Sequence, residues 1–217
     1  ILEKQKIPLA DFSSGQKTSY PKGQVTKRFN IATGALDAQS IISLPKMKTH
    51  MLCKITGAVK NQLGCISGFH KAEFHAKFPD AYSFSKMLVD LNLCLKPKLY
   101  IADAIIAMQG NGPNSGDPIP MNFILLSKDP VALDTVFSIL INLKPSLVPT
   151  NIYGEKFGLG TKSDIDIIGD DHKQLINKNF KVNRNRIPKK NSSLARLSRP
   201  LLPKPYIKKD KCTKCSV

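Results

Sequence analysis

Between Ser43 and Gly68, SLPKMKTHMLCKITGAVKNQLGCISG, five basic side chains (Lys46, Lys48, His50, Lys54 and Lys60) fall within 26 residues that contain no acid. Ammonium groups neutralise an anionic ligand, and an imidazole exchanges a proton near neutral pH. His70, Lys71, His75 and Lys77 follow closely and would complete an anion pocket if their segment folds back on the first. Met47, Met51, Leu52, Cys53 and Ile55 interrupt the cations, a mixture that fits a partly buried stretch better than a solvated face. The candidate catalytic set is Lys48, His50, Lys60 and His75, joined by Asp103. That aspartate lies in the apolar run Lys98–Met108, KLYIADAIIAM, where an unpartnered buried carboxylate is costly. It is therefore expected to pair with one of the central lysines. Cys53 and Cys65 also neighbour lysines, which lower a thiol pKa, but buried structural thiols are favoured over a hydrolytic Cys–His pair.

The elements that must position these groups follow from pattern and punctuation. Val25–Ile31 alternates like a short strand. Ser40–Leu44 is an apolar lead-in that ends at Pro45, so the cations are expected at a strand's exit. Thr56, Gly57 and Ala58 permit close backbone approach, and Val59–Leu63 is expected to begin a helix whose free amides face an anion. Asp80–Leu95 carries Phe84, Met87, Leu88, Leu91 and Leu95 at helical spacing, with Ser83 able to cap its start and Pro97 to stop it. Lys98–Met108 reads as a buried strand. Gly110–Pro120 holds three glycines and three prolines in eleven residues, a shaped loop that serves either as a turn or as a substrate-binding loop. Phe123–Leu126 is a short strand, and Asp129-Pro130 caps a helix over Val131–Leu140 in which Asp134 is a buried partner. Asn151–Phe157 is a further helix and Ile165–Ile168 a last strand. Alternating strands and helices predict an α/β domain over residues 1–180, with a mixed or mostly parallel sheet flanked by helices.

The whole chain of 217 residues carries 33 Lys and Arg against 16 Asp and Glu, a net charge of +17. Lys181–Val217 accounts for 12 of the bases and one acid, leaving 21 against 15 for the preceding 180 residues, so most of the excess is a property of the tail. Residues 181–211 read as a basic, proline-containing extended linker. Such a run can contact nucleic acid through phosphates, but its one aromatic residue, Tyr206, and the lack of any nucleic-acid module favour a solvated tail. Five cysteines without disulfide-like spacing fit reduced thiols and a cytoplasmic protein. No apolar run reaches the roughly 18 residues that suggest a bilayer span, so no membrane partner is expected.

Cys212 and Cys215 have the C-x2-C spacing that opens a bacterial-type cluster motif, and the expected third cysteine would fall just past Val217. Residues 212–217 thus read as the start of a ferredoxin-like segment, with two of the four ligands of a [4Fe-4S] cluster. The body then resembles a family. Pro45-Lys46-x-Lys48-Thr49-His50, Thr56-Gly57-Ala58-Val59-Lys60-Asn61-x-x-Gly64, Lys71 and His75, Asp103 with Met108-x-Gly110-x-Gly112-Pro113-x-x-Gly116, and Asp129-Pro130-Val131-Ala132-x-Asp134 appear in order over about residues 40–170. Together they resemble the uncharacterised iron–sulfur proteins catalogued as domain of unknown function 362, whose members usually carry a further N-terminal portion. The resemblance implies Lys46, Asn61, Gly64, Lys71, Gly110, Gly112 and Asp134 as ligand-binding positions and a ferredoxin-type cluster at Cys212 and Cys215, but no established reaction. One reading is a redox protein, an oxidoreductase or electron-transfer protein with an anionic small-molecule ligand and an electron-transfer partner. The other is an anion- or nucleic-acid-binding module without redox activity.

Overall fold

The computed structural model describes residues 4–187. In chain order it contains β1 (Gly15–Ser19), β2 (Arg28–Ala32), α1 (Thr33–Leu36), β3 (Ile42–Ser43), β4 (Lys46–His50), β5 (Lys54–Thr56) and α2 (Ala58–Asn61). A 3-10 turn over Gln62–Cys65 leads to α3 (His70–Lys77), α4 (Ala81–Leu95), β6 (Leu99–Gln109), β7 (Asp117–Ser127), α5 (Pro130–Leu140) and α6 (Pro149–Lys156). Ile1–Asn185 forms one compact unit and Arg186–Val217 a second, of which only residues 186 and 187 are described. Cys212 and Cys215 lie outside the described residues.

The sheet is built around β6, where Tyr100, Ala102 and Ala104 are buried at every second position, the period of a strand with one covered face. Along one side β3 and then β4 run parallel to it, through the pairs Ile42↔Leu99, Ser43↔Tyr100, Lys46↔Asp103 and Lys48↔Met108. β7 lies antiparallel along the other side, and β5 is antiparallel to β4. The result is an α/β fold with a mixed sheet and flanking helices, while β1 and β2 form a separate antiparallel pair.

Several local expectations are corrected. Pro45 interrupts a strand rather than ending it: its carbonyl accepts the Asp103 amide at 2.9 Å, and pairing resumes at Lys46. The cations therefore lie on β4, where alternation places Lys46, Lys48 and His50 on the more open side and buries Met47 and Thr49. The strand expected at Phe123 starts at Asp117, because an edge strand tolerates Pro118 and Pro120, whose missing amides cost an edge little. Ile165–Ile168 forms no strand, and β1 and α3 arise where the pattern was weak. The long helices form where their spacing predicts, but the cap expected at Ser83 is instead Asp80, with Ser83 inside the first turn. Asp80 caps α4 by accepting from the Tyr82 and Ser83 amides, and Asp129 caps α5 by accepting from Val131 and Ala132.

Two apolar clusters fill the interior. One joins Met47, Tyr100, Ala102, Ala104 and Phe123 of the sheet to Leu133, Val136, Phe137 and Leu140 of α5. The other gathers Phe29 and Ile31 of β2 with Phe84, Leu88 and Leu91 of α4. α2 is the seam, since Ala58 belongs to the first cluster and Val59 to the second. At its start the buried Asp134 accepts from the Ala58 amide at 2.6 Å and the Val59 amide at 3.1 Å. Gly57 makes this approach possible, because a Cβ there would lie 2.0 Å from Asp134 Oδ1. Burial outweighs the two amide hydrogen bonds and pushes the Asp134 carboxyl up to about 7.

Two outcomes follow for stability. Gly57→Ala forces the carboxylate off the helix start and is expected to cost about 1–3 kcal/mol in chemical denaturation. The unfolded chain ionises Asp134 at its ordinary value of 3.8 and the folded chain at about 7, so between these limits the folded state holds more protons. Stability at this group therefore falls as pH rises through that window. Asp134→Asn is expected to flatten that slope, and an unchanged slope would contradict the assignment.

Candidate basic site

Four of the five candidate catalytic residues act on one another electrostatically. Lys48 and His50 come from β4, Lys60 from α2 and His75 from α3. Burial first, then the charges of Lys60, His75 and Lys48, press the His50 imidazole down to about 3. Burial followed by Lys60 lowers His75. Burial also lowers Lys60, where the nearby Cys53 thiol opposes the shift and Lys48 adds to it. Among the described residues, none of the charges acting on these three groups is a carboxylate.

The hydrogen bonds fix one imidazole. His50 Nδ1 accepts from the Leu52 amide at 3.1 Å and the Cys53 amide at 3.2 Å, both in the turn between β4 and β5. An acceptor at Nδ1 places the proton of the neutral ring on Nε2. His75 lies against the buried Phe84 of α4, with ring centroids 4.4 Å apart and planes 21° from parallel. Among the described residues, no hydrogen-bond acceptor or ion-pair partner is assigned to the ammonium groups of Lys48 and Lys60.

Lys60 has no side-chain partner among the described residues, yet its backbone is held from several sides. Asp134 binds the amides of Ala58 and Val59, and the buried Asn92 of α4 donates through Nδ2 to the Val59 carbonyl at 2.8 Å. Tyr100 donates to Asn92 Oδ1 at 3.3 Å. On the other side of Lys60, Asn61 and Gln62 donate their side-chain amides to Ser43 Oγ at 3.0 and 2.7 Å. The hairpin across from His50 is also fixed: Lys54 is buried in left-handed conformation at φ 71° and donates Nζ to the Asn185 carbonyl at 2.9 Å.

The remaining candidates serve other ends. Asp103 is not buried; its side chain is 48% exposed and accepts from Lys46 Nζ at 2.7 Å. Its other oxygen accepts the Ile105 amide at 2.9 Å, where the β6–β7 register shifts, so the acid satisfies a bulge and does not join the histidines. The amides of α2 that were expected to face an anionic ligand already have acceptors in the two oxygens of Asp134, which is a cap within the core. Asn61 is bound to Ser43. Gly64 is exposed with open space where a Cβ would stand, and Lys71 acts on the Cys65 thiol. Gly110, at φ 76°, donates its amide to the Lys181 carbonyl at 2.7 Å. Gly112 lies against Thr49, whose carbonyl oxygen would be 2.2 Å from an added Cβ, so this loop packs on the end of β4. Cys53 and Cys65 are buried thiols pushed upward chiefly by that burial, Cys53 to about 11, which excludes them as ready nucleophiles. Asn92 and Ser43 were missed by the sequence reading. Their only signal is a polar residue on an otherwise apolar helix face or strand.

Among the described residues, no group of three or more His, Cys, Asp or Glu side chains is arranged to hold a metal, and no helix is long and apolar enough to cross a membrane. No solved structure matches the chain. The chain is 33% identical over 184 residues to the Thylakoid-associated protein sll1697 of Synechocystis sp. (strain ATCC 27184 / PCC 6803 / Kazusa). That match covers 84% of this chain and 57% of the relative, so the chain spans little more than half the length of the curated relative it matches. A family model covers residues 1–138, including β4, α2, α3 and the basic cluster they carry, and the chain belongs to the family it describes, the domain of unknown function DUF362.

Proposed function

We propose that this domain binds a small anionic ligand at Lys48, His50, Lys60 and His75. The observation that carries the reading is Lys60, an ammonium group drawn into a half-buried position beside Lys48 with no acceptor assigned to it among the described residues. Like charges brought together without a counter-charge disfavour the compact state, so such an arrangement is retained most readily where a ligand supplies the missing charge. Lys48 and Lys60 would neutralise the anion, His50 would donate from Nε2, and His75 would border it from the face opposite Phe84.

Lys60→Met tests the reading in two ways. With inorganic sulfate as the probe, binding followed through the ring resonances of His50 and His75 is expected to weaken about tenfold, or ~1.4 kcal/mol. In the unliganded variant the His50 pKa is expected to rise, because one of the charges depressing it has gone. Sulfate binding unaltered by the substitution would rule out the cluster as the binding site.

The redox reading rests on Cys212-x2-Cys215. Cys53, Cys65 and Cys94 are three separate free thiols and do not provide a cluster's ligand set. A [4Fe-4S] centre would draw on Cys212 and Cys215 together with thiolates outside this sequence. Its test is the iron and sulfide content of the natural protein isolated without oxygen. About four of each per cluster, with absorption that bleaches reversibly on reduction, is the expected result. Stoichiometric zinc or no metal would leave the anion site without an electron-transfer partner.

A further inference from the structure

We propose that the ligand presents a fully deprotonated, dianionic oxyanion, such as sulfate or a doubly ionised phosphate group, to a site whose fixed groups are hydrogen-bond donors. This deepens the anion-binding reading and rests on it. The inference begins with the geometry of His50. Its Nδ1 is occupied by the Leu52 and Cys53 amides, so the ring offers the ligand an N–H at Nε2 and no lone pair. An ammonium group has three donors and no acceptor, which holds for both Lys48 and Lys60. The two lysines supply two positive charges, and a dianion balances them without proton uptake by either histidine.

The charged and titratable groups around His50 all favour that balance. Lys48 lies on its own strand, Lys60 on α2 and His75 on α3, and each opposes a further positive charge on the imidazole. The Cys53 thiol, which adjoins Lys60, is itself held protonated by burial. Lys54, paired with His50 across the hairpin, turns its ammonium to the Asn185 carbonyl. Nearby Asp103 is engaged with Lys46 and the Ile105 amide. Of these only His75, whose neutral ring keeps one lone pair, can accept a proton carried by the ligand. A monoprotonated phosphate would depend on that single acceptor and would still leave one of the two lysine charges unmatched.

Sulfate and inorganic phosphate separate the possibilities, because sulfate remains a dianion throughout the neutral range while phosphate gains its second proton within it. Binding of each to the full chain is measured from about pH 8 down to about pH 6, the range in which an ordinary imidazole would start to protonate. The site-specific part is taken as the fraction lost in Lys60→Met. Sulfate affinity is expected to stay within about twofold, whereas phosphate affinity falls about tenfold as the dianion is depleted. Site-specific phosphate binding that holds constant or strengthens on acidification, or sulfate binding that strengthens, would overturn the dianion inference and leave the anion site standing. If neither ion shows a Lys60-dependent component, the anion-binding reading falls and the inference with it.

Discussion

Asp134 reaches across the interior to accept the first amides of α2, and the architecture of the basic site depends on that carboxyl group. A four-residue helix has little cooperative stability of its own. It persists here because its orphan donors are satisfied from α5, its Val59 carbonyl is bound by Asn92 from α4, and Ala58 and Val59 enter different apolar clusters. Gly57 is part of the same device, since a side chain would fill the space the carboxylate oxygen occupies. An acidic group at a helix start ordinarily contributes about 1 kcal/mol at the surface. Within the core its loss would also leave two amides without acceptors, so the interaction matters more to this segment than a cap does elsewhere.

The consequence is a division of labour along a few residues. Ala58, Val59, Asn61 and Gln62 are held through backbone or side-chain contacts, while the Lys60 ammonium between them has no acceptor among the described residues. β4 works similarly: Met47 is packed into the core while Lys48 and His50 stand on the other side of the strand. Holding the backbone rigid keeps like charges together that would otherwise relax apart. The electrostatic cost is visible in the depressed basicity of His50, Lys60 and His75, each driven first by burial and then by neighbouring charge. On the proposed anion-binding reading, the His50 ring is already held by the Leu52 and Cys53 amides, so little binding energy would be used in ordering it.

The sequence made some of this arrangement legible. Helical spacing in α4, the aspartate before α5, and the acid-free basic stretch reflect local rules, and local rules can be read locally; the α4 cap, expected at Ser83, is Asp80. Asp103 was harder, because an aspartate in an apolar strand looks buried until the bulge at Ile105 reveals an amide for it to satisfy and Lys46 beside it. The place of the anionic ligand expected at the start of α2 is taken by a carboxyl group 76 residues away, within the protein's own helix α5. Pro45, Pro118 and Pro120 misled for a related reason. Whether a proline ends a strand depends on which neighbour its missing amide would have faced, and that is a property of the sheet. Ile165–Ile168 had strand-like composition, yet no strand forms there.

The site also explains why β4 begins again after Pro45. Two steps along β4, from Lys46 to Lys48, correspond to five along β6, from Asp103 to Met108. The β4–β6 pairing is irregular across this interval, and Asp103 satisfies the Ile105 amide where the separate β6–β7 pairing shifts, while engaging Lys46. Lys46 is thereby neutralised next to the bulge, whereas Lys48 and His50, further along the strand, pair against the end of β6 and the hairpin turn. The exposed Lys46–Asp103 ion pair contributes little to stability by itself, as surface pairs generally do. Its structural effect is to withdraw one lysine and the nearest carboxylate from the cluster together. What remains is a cluster of basic groups with no carboxylate partner among the described residues.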